Sequence, residues 1–296
     1  MPANGQPASR PADGLWRRLV GYSTGVRSLP PAAARGERAL YGLGQPVLGL
    51  HALVKNPELL AESLKPALLL GCFCAFVALF DSDERPSFPL RFYAAFVFLA
   101  PVPSILFANY YARLAASAHT RLGLGPCEPR RETLWRAILH AGKQAVVVAM
   151  AVAPMLLLLG WLPLVGKALA AAAGALWALH WVVIEAFDSA RVRGPALEPA
   201  EVPDVWFVRS CQDLANRLPL GGFLLRFFAR ICRWLSFPWR EEIALVERHP
   251  GLVLGFSMTT AILLATPVLN LLFRPIIIIA SVHLLSHLRS ERVDSG

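Results

Sequence analysis

The sequence predicts an all-α, polytopic integral membrane protein built from helical hairpins, some of which penetrate the membrane only partly. Three observations predict this class. Hydrophobic residues make up 55% of the chain. Arginine-rich segments separate the apolar stretches, and Pro interrupts the longest stretches near their middles, which indicates two helical arms joined by a turn. Four stretches are almost free of charged residues: 66–80, 88–111, 145–187 and 252–288.

The first part of the chain predicts a tail followed by one hairpin. Residues 1–45 are rich in Pro, Ala, Gly and Arg and hold no long apolar run, so we predict a disordered cytoplasmic tail. Residues 46–62 predict a short amphipathic helix that leads to the membrane. The arms 64–80 and 88–111 then form the first hairpin, with a small acidic loop between them.

The charge distribution predicts the orientation. The segment 112–143 is rich in basic residues, and such segments favour the cytoplasmic side of a membrane. Arg191 and Arg193 follow the second hairpin, and Arg289 and Arg292 follow the third. We therefore predict that both termini are cytoplasmic. Membrane orientation explains the net charge of +9 better than nucleic-acid binding does, so no nucleic-acid partner is expected.

The second and third hairpins share a plan in which a turn containing Pro joins two apolar arms. The arm 145–160 ends at Gly160, and Pro163 and Gly166 form the turn. At 1.5 Å per residue this arm rises about 24 Å, which is less than a hydrocarbon core of about 30 Å. The arms around the turn of 252–288 are similarly short, with the second starting at Pro275. The sequence therefore predicts hairpins that enter the membrane without full crossings.

An amphipathic basic helix is predicted at 223–235. Arg226, Arg230 and Arg233 are spaced i, i+4 and i+7, which places them on one helical face, while Phe and Leu occupy the other. Such a helix suits a membrane interface that contains anionic lipid. The alternative is a helix that lies on the protein's own membrane domain.

Three blocks of sequence resemble the CysZ-like sulfate permease family, which belongs to the etoposide-induced membrane protein superfamily. The C-terminal block combines Gly255-Phe256 with Pro267-Val268-Leu269-Asn270 and Pro275. The other two blocks are 49–59, which contains Lys55-Asn56-Pro57-Glu58-Leu59, and Leu162-Pro163-Leu164-Val165-Gly166. The resemblance covers most of 42–288, and we assign a CysZ-like membrane domain to 46–288.

The resemblance carries several expectations. It implies partly penetrating hairpins, a homo-oligomer, a location in the bacterial inner membrane, and a pore-like permease that admits sulfate for cysteine synthesis. Two features depart from the family pattern. Arginine is missing after the Pro57 block, and 194–240 resembles an insertion that carries the basic helix.

Three residues near the hairpin turns are candidates for an anion path: Lys167, Asn270 and Arg274. In broken membrane helices, the N-termini of half-helices point at bound anions, and basic or amide side chains add donors. The alternative is that the two basic residues anchor the turns at the far interface by snorkelling.

Two acidic residues, Glu185 and Asp188, lie where the second hairpin leaves the membrane, and such groups can serve proton-linked transport. The alternative is that Asp188 pairs with Arg191. His283 and His287 are spaced i, i+4 and share a helix face, but two histidines are too few for a metal site, so they are predicted to be polar residues at the helix end.

These observations predict a permease or channel for sulfate or a similar small inorganic anion. Motifs for nucleotide binding and for common hydrolases are missing from the sequence, so we expect neither an enzyme nor a cofactor. The alternative is a non-conducting structural or regulatory membrane protein that acts on anionic lipid or a partner through its basic helix.

Overall fold

The computed structural model describes residues 11–25, 29–31, 34–80, 87–99, 106–163, 165–191, 202–218, 222–266 and 269–294. Regular secondary structure in this part of the chain is helical, which confirms the all-α prediction. The α-helices in chain order are α1 (Pro11–Thr24), α2 (Arg35–Lys55), α3 (Pro57–Phe80), α4 (Phe88–Leu99), α5 (Ala108–Arg121), α6 (Leu134–Gly160), α7 (Gly166–Ser189), α8 (Trp206–Arg217), α9 (Gly222–Ser236), α10 (Arg240–Arg248), α11 (Pro250–Ala265) and α12 (Leu269–Asp294).

Four helices of the described chain are long and apolar enough to cross a membrane, which identifies a membrane protein. They are α3, α6, α7 and the Leu271–Leu288 segment of α12. Only 11% of the apolar window of α6 and 17% of that of α7 is buried inside the protein, whereas 78% of Leu271–Leu288 is buried. The α6–α7 hairpin is therefore the outward-facing part of the fold, and α12 is its central helix.

The second hairpin is longer than the sequence indicated. The turn near Pro163 is confirmed, but α6 begins at Leu134 rather than at residue 145. Thr133 caps it by accepting a hydrogen bond from the backbone N–H of Arg136. With 27 residues, α6 rises about 40 Å. The helix is longer than the predicted arm because it also contains Arg136 and Lys143, whereas its uncharged part, 144–160, rises about 25 Å.

The third hairpin is asymmetric. Its first helix, α11, has 16 residues and rises about 24 Å, as short as predicted. Its second helix, α12, has 26 residues and begins at Leu269, so Pro275 lies inside the helix rather than at its start. Four consecutive isoleucines, 276–279, are all buried, because α2, α3, α5, α7 and α11 surround this helix.

The N-terminal region differs from the predicted tail. Residues 11–24 and 35–55 are helical, so the boundary at residue 45 does not hold, while residues 1–10 and 26–28 lie outside the described residues. The α2 helix also replaces the first part of the helix predicted at 46–62. It packs against α11 and α12 at close range. A Cβ atom on Gly42 would lie 2.0 Å from the carbonyl oxygen of Leu252, and one on Gly255 would lie 2.0 Å from that of Ala39.

Candidate functional site

A cavity of about 500 Å³ lies between α4, α6, α7, α11 and α12. Most of its walls are apolar, with Phe96, Val148 and Ile277 among the lining residues. The charged side chains that line it are Glu185 from α7 and Arg274 from α12, and Gln144 of α6 adds an amide group. An apolar chamber with a few convergent polar groups has the form of a binding site for a small solute.

Glu185 and Arg274 form an ion pair inside this cavity. The Nη1 atom of Arg274 lies 2.8 Å from Oε1 of Glu185, and only 8% of the arginine side chain is exposed. The guanidinium also lies 5.7 Å from the ring centroid of Phe273. Charges at this depth interact strongly with each other and with any ion that enters, because little water screens them.

A second, smaller cavity of about 80 Å³ adjoins the first, and Ala141, Gln144 and Glu185 line both. Its other polar lining comes from α5, from the N-terminal part of α6, from the C-terminal end of α7 and the residues just after it, and from the loop before α6. These residues are Tyr111, Arg130, Glu132, His140, Asp188, Ser189 and Arg191. Glu185 therefore lies where an apolar chamber meets a strongly charged vestibule.

Asp188 organises the vestibule. Its Oδ2 atom lies 2.9 Å from Nε2 of His140, and its Oδ1 atom accepts a hydrogen bond of 3.2 Å from Arg130. Arg130 also pairs with Glu132 at 2.7 Å. The expected direct ion pair of Asp188 with Arg191 is not formed among the described residues, because Arg191 is taken up by two carboxylates of α10, although the two charges still attract each other.

These two carboxylates belong to Glu241 and Glu242. Arg191 Nη2 lies 2.5 Å from Glu241 and 2.6 Å from Glu242. Burial raises the pKa of the Glu242 carboxyl to about 7, although the positive charge of Arg191 works in the opposite direction. This cluster attaches α10 to the C-terminal end of α7.

The structure separates Lys167 from Arg274, two of the three residues predicted to line an anion path. Arg274 lies in the large cavity. Lys167 is exposed in the first turn of α7, about 27 Å along the helix axis from Glu185. Asn270 lies one helical turn before Arg274, and its side chain is outside the described residues. Arg274 contacts Glu185 near the C-terminal end of α7, whereas Lys167 lies at the N-terminal end of the same helix. Lys167 therefore does not share a site with Arg274.

The structure supports one of the two alternatives that the sequence left open for the basic helix, and the membrane interface stays a prediction. Helix α9 packs against α8 and α6, so it does lie on the protein's own membrane domain. Its arginines, Arg226, Arg230 and Arg233, are nevertheless exposed.

The histidine pair has a partner that the sequence did not indicate. His283 Nδ1 lies 2.6 Å from Oε1 of Gln45 on α2, and its Nε2 lies 3.1 Å from Nε2 of His287. Within the described ranges, no group of three or more His, Cys, Asp or Glu side chains could hold a metal ion. The pair therefore joins α2 to α12 through a polar contact in the core.

No protein-family model, no curated protein and no solved structure matches the chain. The resemblance to the CysZ-like family stays a prediction, and the site has to be interpreted from its own geometry.

Sequence reasoning missed Gln144, His140 and Arg130 as parts of the site. A signal was present for the first two, because they are spaced i, i+4 on one helix immediately before an uncharged run. His140 and Gln144 on α6 lie at the same depth as Glu185 and Asp188 on α7, and this match indicates that the two helices share a polar face. Arg130 lies in a loop and carried no such signal.

Proposed function

We propose that the protein is a permease or channel that passes sulfate or a similar small inorganic anion across the bacterial inner membrane without hydrolysing ATP. The observation that carries this proposal is the buried guanidinium of Arg274 in a chamber of about 500 Å³. A planar guanidinium can donate two parallel hydrogen bonds to an oxyanion, and it keeps its charge when buried.

The ion pair with Glu185 supports the same proposal. A carboxylate is itself an oxyanion, and one already lies against Arg274 at 2.8 Å. A sulfate that enters the chamber competes with Glu185 for this guanidinium. In the proposed mechanism, Arg274 exchanges its internal carboxylate for the solute and takes the carboxylate back when the solute leaves.

The vestibule supports a route to this chamber. Arg130 and Arg191 supply two guanidinium groups, and these are paired with four carboxylates, those of Glu132, Asp188, Glu241 and Glu242, so these ion pairs leave no excess of positive charge. A vestibule with both charge signs lets an anion pass from one cation to the next without a deep trap. In the proposed mechanism, Glu185 stands between the vestibule and the chamber and is displaced at each passage.

Uptake of radiolabelled sulfate into proteoliposomes tests the proposal, with empty liposomes as the baseline. We expect uptake above the baseline for the wild-type protein and a loss of at least about ten-fold for Arg274→Gln, since a buried charge-assisted contact contributes roughly 1.5–3 kcal/mol. Lys167→Gln is the matched control, because it removes a basic residue that is exposed outside the chamber. Glu185→Gln should lower the KM for sulfate by removing the competing carboxylate.

Two results would contradict the proposal. One is uptake by the Arg274→Gln protein at the wild-type rate. The other is failure of the correctly inserted wild-type protein to take up sulfate, phosphate or chloride. The second result would favour the alternative, a non-conducting structural or regulatory membrane protein, for which the exposure of Arg226 and Arg230 on α9 is the supporting observation.

A further inference from the structure

Helix α9 presents two neighbouring stripes of side chains to the outside of the protein. Phe223, Phe227 and Trp234 form an aromatic stripe, because spacings of four and seven residues keep them on one line of the helix. Arg226, Arg230 and Arg233 form an arginine stripe directly beside it. The opposite face carries Gly222, Ala229, Cys232 and Ser236, which are buried against the protein.

The aromatic stripe is too exposed for a surface that faces water. Phe223 is 75% exposed, Phe227 is 54% exposed and Trp234 is 65% exposed. Leu224 and Phe237 extend the same apolar surface. Contiguous apolar patches of this kind mark contact with another protein or with a membrane.

The position of α9 along α6 favours a membrane. The Nζ atom of Lys143 on α6 lies 4.8 Å from the ring centroid of Trp234. Lys143 is the last charged residue of α6, and residues 144–160 then rise about 25 Å without a charge. Trp234 therefore lies at the depth where the polar part of α6 ends and its apolar part begins. Indole rings are enriched at this level of a bilayer, where one edge meets the hydrocarbon and the other meets water.

The arginine stripe supplies the charge that such a location can use. Arg233 forms an ion pair with Asp204. Arg226 hydrogen-bonds the carbonyl of Gly222 in its own helix at 3.2 Å. Neither Arg226 nor Arg230 forms an ion pair within the described chain, so both guanidinium groups are available to an external anion.

We propose that the exposed face of α9 is an interfacial docking surface for anionic phospholipid. The aromatic stripe lies in the acyl-chain boundary, and Arg226 and Arg230 bind headgroup phosphates beside it. This surface is independent of anion passage through the protein, because α9 contributes no residue to the lining of the chamber or of the vestibule.

The test uses full-length protein in vesicles that contain brominated lipid, which quenches tryptophan fluorescence on contact. The Trp234 signal is obtained as the difference between the wild-type protein and Trp234→Phe. Brominated phosphatidylcholine and brominated phosphatidylglycerol are compared at equal mole fraction, and aqueous iodide is added in a parallel series. We expect quenching of Trp234 by both lipids, with phosphatidylglycerol several-fold more effective, because one basic residue near an anionic surface contributes about a five-fold preference.

Two double variants separate the arginine stripe from general surface charge. Arg226→Gln with Arg230→Gln should remove the preference for phosphatidylglycerol while brominated phosphatidylcholine still quenches Trp234. Arg131→Gln with Arg248→Gln is the matched control, since both of these arginines are exposed elsewhere, and it should keep the preference. Quenching of Trp234 by iodide but not by lipid would overturn the proposal and indicate a water-facing surface that suits a protein partner. Equal quenching of Trp234 by both lipids in the wild type would overturn the proposal that this surface prefers anionic phospholipid.

Discussion

Arg274 and Glu185 are paired at 2.8 Å across the interface between α12 and α7, at the junction of the two cavities. This pair connects the central helix of the fold to the outward-facing hairpin. It also holds opposite charges in a chamber whose walls are mostly apolar. Its two members should therefore contribute similarly to stability but differently to the proposed transport.

The first prediction concerns the stability of this pair. Arg274→Gln and Glu185→Gln should each lower the free energy of unfolding by about 3 kcal/mol, because each leaves an uncompensated charge at depth. The double variant should cost clearly less than the sum of the two, since it leaves no lone charge. Thermal unfolding in detergent measures these differences, with Lys167→Gln expected to stay within about 0.5 kcal/mol of the wild type. Additive effects would show that the two side chains do not interact.

The second prediction concerns the contact between α2 and α11. Gly42→Ala and Gly255→Ala place a methyl group 2.0 Å from a backbone carbonyl oxygen of the facing helix, so the two helices have to separate. We expect each to lower stability by about 3 kcal/mol or more, at the upper end of the range for overpacking. Gly36→Ala is the control, because nothing lies within 4 Å of the added methyl group, and Ala there should be neutral or slightly stabilising. Wild-type stability of the Gly42→Ala protein would contradict the packing of α2.

The third prediction concerns pH. The folded protein raises the pKa of Glu242 from 4.5 to about 7, so it binds this proton more tightly than the unfolded chain does. The contribution of Glu242 to stability is therefore full below about pH 4.5 and declines as the pH rises to about 7. Glu242→Gln should flatten the decline in melting temperature across this interval. The exposed Glu58→Gln variant should keep it, and an unchanged slope in Glu242→Gln would count against a raised pKa of this carboxyl.

The fourth prediction concerns topology. Helices α6 and α7 rise about 40 and 36 Å, which is enough to cross a membrane, so their turn and their ends should lie on opposite sides. Trp161→Cys, at an 86% exposed position of the turn, should react with an impermeant maleimide only from outside. Arg131→Cys should react only from the cytoplasmic side. Labelling is measured as the increase over the parent protein in right-side-out and inverted vesicles. Protection of the turn from both sides would show that the hairpin stops within the bilayer.

The sequence predicted the elements that local pattern determines. Uncharged runs predicted α3, α7 and α11, and Gly160, Pro163 and Gly166 marked the turn between α6 and α7. The arm predicted at 88–111 was wrong as a single helix, because α4 ends at Leu99 and α5 begins at Ala108. The spacing of Arg226, Arg230 and Arg233 predicted the exposed basic side of α9. These features depend on residues a few positions apart, so helical periodicity and turn chemistry are sufficient to locate them.

The features that the sequence did not predict depend on distant contacts. Helix α2 contains Gly42, Gly44 and Pro46, and this composition resembles that of a flexible tail. Gly42 lets the backbones of α2 and α11 approach closely, and Gly44 does the same for α2 and Tyr22 of α1, so tertiary packing overrides the local preference. The pairing of Glu185 with Arg274 could not be predicted either, because a charge in an apolar run carries no information about which helix will face it.

Burial of α12 on nearly all sides has a consequence for the order of assembly. Helices α2, α3, α5, α7 and α11 all precede α12 in the sequence, so during translation they are synthesised before the helix that they surround. Until then, the groove that receives the four isoleucines is open to lipid and to other chains. A ribosome that stalls before α12 therefore releases an intermediate with an unfilled groove, which quality-control proteases and membrane chaperones can recognise by its exposed apolar surface.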